Sequence, residues 1–160
     1  MLERDYPESA YDEYLCIKPP ILMWIIIAFL FRPFIILIAS ITNKADRIGL
    51  LNTIYPDRSA AFLGAVASIP AIFLLIAWFR KQPGANILIR RFWHHGKALL
   101  ISSLSLNLLI LLWHEIESVN SIQNIGPITM VQFAFCVFSI YYLLRSQRLT
   151  DAFSDFPGEN

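Results

Sequence analysis

Residues 20–42 read PILMWIIIAFLFRPFIILIASIT, 23 residues with one charge, Arg32, near the centre. About 20 apolar residues in helical conformation cross the ~30 Å hydrocarbon core of a bilayer. The stretch therefore predicts a transmembrane helix. At ~1.5 Å per residue, Arg32 lies about 18 Å from Pro20, close to the midplane. A cation at that depth costs at least ~2.5–3.5 kcal/mol on insertion scales, so it is expected to face the interior of a helix bundle. Pro33 follows it and has no N–H to give to the carbonyl of Phe29, which predicts a kink.

Three further apolar runs follow, at about 60–79, 98–113 and 127–145. Composition agrees. The chain of 160 residues is 56% hydrophobic and 16% charged, where soluble domains are nearer ~45–50% and ~25%. The expected fold is all-α, an integral membrane four-helix bundle in a single transmembrane domain, with polar segments 1–19 and 146–160 at its ends. The first 19 residues carry five acids against Arg4 and Lys18. That is not the short basic start of a secretory signal, so the first run is expected to stay in the mature protein.

Lysine and arginine distribution sets the orientation. Segments 1–19, 80–97 and 145–160 together hold nine, and segments 43–59 and 114–126 hold three. Excess positive charge marks the cytoplasmic side. Both termini are therefore expected inside. Segment 80–97 is the most basic part of the chain, with Arg80, Lys81, Arg90, Arg91 and Lys97 and no acid. It is expected to hold a short amphipathic helix over Ile87–Trp93 and to touch anionic lipid. The net charge of +1 gives no reason to expect a nucleic-acid partner.

The polar residues inside the runs define the candidate intramembrane polar site: Arg32, Asn107 and Gln132. Asn107 shares a helical face with Ser103, and Gln132 shares one with Ser139. Asn107 is the expected hydrogen-bond partner of Arg32. Gly64 and Ser68 lie on a small-residue face of the second run with Ala60, Ala67 and Ala71. Such faces let membrane helices approach closely, so these two are the expected helix-packing residues. Pro70 predicts a bend. In the first end segment, Tyr11-Asp12-Glu13-Tyr14 predicts a turn. In the first connection, Ile48, Leu50, Leu51, Ile54 and Tyr55 predict a short surface helix, followed by a turn with Asp57 or Ser59 as cap.

Chemistry-bearing patterns are sparse. Cys16 and Cys136 are read as buried small apolar side chains with no disulfide between them. Adjacent His94 and His95 point different ways on a helix and make a poor metal pair. His114, Glu115 and Glu117, read as loop residues, lack the two histidines four apart that a zinc-protease motif needs. No catalytic, cofactor or metal residue is assigned, and no enzymatic activity is expected.

The elements Tyr11-Asp12-Glu13 with Leu15, Pro20, Leu22 and Trp24, then Arg32, Tyr55-Pro56-Asp57, Phe62-Leu63-Gly64, Ile69-Pro70-Ala71 and Arg148-Leu149 with Phe153 resemble a family. It is the small inner-membrane proteins of Gram-negative bacteria catalogued as domain of unknown function 2919. The resemblance covers most of the chain and implies a bacterial inner-membrane location. It implies no activity. The expected role is that of a non-enzymatic accessory or scaffold protein that binds lipid, another membrane protein or its own copies. A transporter or channel subunit using the midplane Arg32 is the alternative.

Overall fold

The computed structural model describes residues 7–14, 16–42, 58–117 and 127–157. The expected surface helix over 48–55, the Asp57 cap expected for the helix after it, and residues 118–126 lie outside them, while Ser59, the other expected cap, lies inside a helix that begins at Arg58. Among the described residues the fold is all-helical, with no strand beyond one isolated bridge between Tyr11 and Ile17. The helices are α1 (Ile21–Leu30), α2 (Arg32–Thr42), α3 (Arg58–Ala67), α4 (Ile69–Phe79), α5 (Ile87–His94), α6 (Gly96–Glu117), α7 (Pro127–Arg145) and α8 (Gln147–Ser154).

The first two apolar runs are each split into two helices. Both breaks fall two residues before a proline. At Phe31 the ladder continues from Phe31 N–H to Ile27 O and from Ile35 N–H to Phe31 O. Pro33 between them has no proton to donate, and α1 and α2 meet at 58°. Ser68 separates α3 from α4 in the same way, ahead of Pro70. At both prolines the expected bend divides the run into two helices.

The third and fourth runs are each one continuous helix, α6 and α7. α6 starts at Gly96, two residues before the expected boundary, and continues through His114, Glu115 and Glu117. Those three residues therefore belong to a helix and not to a loop. Nothing in His114-Glu115-Ile116-Glu117 breaks a helix, so the helical ladder outlasts the apolar run. α6 is the helix that, among the described residues, is long and apolar enough by itself to cross a membrane. Two bent pairs, α1 with α2 and residues 129–145 with α8, pass the same test if each is counted as one span.

The core forms where the helices present apolar residues three and four apart. Met23, Ile26, Ile27 and Leu30 of α1 meet Ala71, Leu74 and Ala77 of α4, Leu100 and Leu104 of α6, and Cys136 and Leu143 of α7. Large apolar side chains such as Ile38, Phe62, Leu109, Val131 and Leu144 point outward and are exposed. A helix set that is apolar inside and out suits a lipid solvent.

The end segments add structure of their own. In the N-terminal one, Asp12 N–H bonds Cys16 O and Lys18 N–H bonds Ala10 O, both at 2.8 Å, around the turn expected at Tyr11–Tyr14. In the C-terminal one, α8 turns away from α7 at 65°, capped by the Ser146 hydroxyl on Leu149 N–H.

Candidate functional site

Arg32 opens α2 just beyond the break. Its Nη2 donates to Oδ1 of Asn107 at 3.2 Å, and its guanidinium carbon lies 4.5 Å from the Phe29 ring centroid. Asn107 is almost wholly buried, 2% exposed, on the face of α6 that also buries Ser103. The pairing expected from the sequence is therefore present. An amide oxygen meets part of the guanidinium's large donor capacity, and the ring adds a cation–π contact of ~0.5–2 kcal/mol. Phe29 is itself held against Phe135 of α7 with ring centroids 4.5 Å apart. Gln132 is half-buried on the side of α7 that also buries Cys136 and Ser139, three and four residues apart along the helix.

Gly64 and Ser68 face the break in the first run. A Cβ built on Gly64 would meet Pro33 Cγ at 3.3 Å. Ser68 Oγ lies 2.5 Å from the carbonyl oxygen of Leu30 and 2.9 Å from that of Gly64. The hydroxyl has one proton and donates to one of them at a time. Leu30 ends α1, and terminal carbonyls lack an intrahelical partner, so the contact supplies one from outside the helix.

A second cluster was not singled out by sequence reasoning. Lys81 is 7% exposed, with its ammonium 4.6 Å from the Trp93 ring centroid and no hydrogen-bond partner for Nζ among the described residues. Burial pushes it below the usual lysine range, and Cys16, Asp155 and Asp12 pull it part of the way back. Cys16 is buried beside it, and burial pushes its thiol up, with Lys81 opposing. Cys16 and Cys136 are both free. Asp155 Oδ2 accepts from Ile17 N–H at 2.9 Å. Trp93 Nε1 donates to the carbonyls of Ala152 and Asp155, each at 3.1 Å.

This cluster joins the three segments that together hold nine of the chain's lysines and arginines. The N-terminal turn, α5 and α8 meet there, and the two histidines are used locally: His94 Nδ1 lies 3.0 Å from Phe153 O and His95 Nδ1 2.9 Å from Arg91 O. Aromatic rings continue the layer, with Trp24 on Trp78 at 5.0 Å, Trp78 on Trp93 at 5.7 Å and Trp93 on Phe153 at 5.0 Å. Among the described residues no group of three His, Cys, Asp or Glu side chains is placed to hold a metal. The one legible signal was the amphipathic helix expected over Ile87–Trp93. The inward turn of Lys81 had none, because a lysine in a basic loop reads as solvated.

The family described as protein of unknown function (DUF2919) matches residues 6–155. The chain belongs to that family. The DUF2919 match runs from the N-terminal turn to Asp155, so it takes in both sides of the contact between Ile17 and Asp155. Inner membrane protein YfeZ of Escherichia coli (strain K12) is 22% identical over 153 residues, covering 96% of this chain and 97% of that protein. No solved structure matches the chain.

Proposed function

We propose that this DUF2919 protein is a multi-pass protein of the bacterial inner membrane with four spans and with both termini and segment 80–97 on the cytoplasmic side. The observation that carries this reading is the meeting of the N-terminal turn, α5 and α8 through Ile17, Trp93, Ala152 and Asp155. Segments that touch lie on one side of a membrane. The chain between any two of them then crosses an even number of times. Two crossings in 20–79 and two in 98–145 satisfy this, and the positive charge of the three segments puts that side inside. The E. coli relative, inner membrane protein YfeZ, supports the location.

Within that frame the protein acts as a non-enzymatic accessory or scaffold protein, holding lipid or another membrane protein. Arg32 is the residue on which a transport reading rests. Its tie to Asn107 and Phe29 inside the chain supports a structural role. Purification in mild detergent, with identification of the proteins that co-purify, tests the role. One partner recovered in stoichiometric amount supports it. Substrate flux in vesicles containing only this protein contradicts it.

A further inference from the structure

We propose that the turn between α4 and α5 is a binding site for the phosphate of an anionic phospholipid. The proposal rests on the membrane placement above and names a ligand for one place on it. A pocket of about 430 Å³ opens there, lined by Arg80, Gln82 and Asn86 on its polar side and by Phe79 and Ile89 on its apolar side. That volume suits a small polar headgroup. None of the residues lining it is acidic.

The pocket sits where an apolar helix ends. Phe79, the last residue of α4, is 73% exposed, and Arg80 follows it on the surface. A phospholipid has the same order of parts, acyl chain then phosphate. The turn is shaped by Ala85 N–H bonding Gln82 O and by Gly84 at φ +82°, a conformation side chains disfavour. Asn86 caps α5 by accepting from Leu88 N–H through Oδ1, which leaves its amide N–H groups as donors beside the pocket.

The other cations of the segment clarify the assignment, and Arg90 on α5 is not among the residues that line the pocket. Lys81 is turned inward on Trp93, and Lys97 Nζ is engaged by Thr150 Oγ1 at 3.0 Å and Leu144 O at 3.3 Å. Arg91 is exposed on α5 and does not line the pocket. Arg80 is the cation at the cavity.

Native mass spectrometry of the full chain in detergent, titrated with phosphatidylglycerol or phosphatidylcholine, tests this. The protein is expected to retain phosphatidylglycerol in preference to phosphatidylcholine. Arg80→Gln is expected to lower that retention about fivefold, the weight of one surface cation on an anionic lipid. Asn86→Asp keeps the capping oxygen and adds a negative charge to the pocket, so it should lower retention at least as far. Arg91→Gln should leave it unchanged, and inorganic phosphate should not displace the lipid. Wild-type retention by both pocket variants overturns the site. So does an equal loss in Arg91→Gln, which means a diffuse basic surface, and so does displacement by phosphate, which means a free-anion site. Extraction of the protein from membranes by alkaline wash overturns the membrane placement itself. Resistance to the wash without lipid preference overturns the lipid site alone.

Discussion

The hydroxyl of Ser68 lies 2.5 Å from the carbonyl oxygen of Leu30, joining the break in the second apolar run to the break in the first. Pro33 and Pro70 made both breaks, and Gly64 brings the two together by leaving Pro33 room. A side chain at one break thereby supplies a partner for a carbonyl at the other.

Replacing Ser68 by Ala is predicted to lower thermal stability modestly, because the Leu30 carbonyl loses a partner. Interhelical hydrogen bonds in membranes average ~0.6 kcal/mol. Gly64→Leu is predicted to be worse and to reduce the folded protein recovered from membranes, since its side chain must displace Pro33. Melting in detergent and membrane abundance read both. Wild-type values for Gly64→Leu would mean that the helices do not pack through this face.

The bond from Arg32 to Asn107 makes a second prediction. Arg32→Leu removes a costly intramembrane charge and strands one amide oxygen, effects that oppose each other, so a small shift in melting temperature is expected. Arg32→Glu sets an acceptor against the Asn107 oxygen and keeps a charge, and is expected to be far more destabilising. A double-mutant cycle with Asn107→Leu should return a coupling of about 0.5–2 kcal/mol. Melting of Arg32→Glu at the native temperature would mean that the arginine is not held inside.

Gly96 opens α6 against two neighbours. A Cβ there would clash with the Phe153 ring and approach Leu74 Cδ1 to 2.7 Å. Gly96→Ala normally favours a helix, yet here the predicted outcome is destabilisation of about 1–3 kcal/mol from overpacking. A variant as stable as the parent would show that α8 does not seat on α6 this closely.

These three sites differ in how legible they were. The apolar runs, the proline bends and the partnership of Arg32 with Asn107 could be read in advance, because lipid forces backbone and charged groups to find partners within the chain. The role of Gly96 could not, since it depends on Phe153, more than fifty residues away, arriving over it. Segments 1–19 and 146–160 read as polar ends because their composition is polar. Their burial of Ala10, Cys16, Leu149 and Phe153 follows from contacts that no periodicity announces.

Lys81 supplies a pH prediction. Its folded value lies below 10.5, so between that lowered value and 10.5 the unfolded chain binds the extra proton and stability rises with pH. Cys16 acts oppositely above 9.0, because its thiol is held protonated in the folded state. Comparing Lys81→Met with the parent isolates the lysine. The variant is expected to melt higher at neutral pH, where the buried ammonium is a full penalty, less the cation–π contact with Trp93. The gap should close as pH approaches 10.5. A gap that is constant with pH would mean the ammonium is solvated.

The proposed topology puts the N-terminal turn, α5 and α8 on the cytoplasmic side of four spans. Paired reporter fusions measure it most directly, one reporter active only in the cytoplasm and one only in the periplasm, placed before Met1, after Ser121 and after Asn160. Cytoplasmic activity is expected at both ends and periplasmic activity at Ser121. Periplasmic activity at either end, or opposite results at the two ends, would contradict that topology.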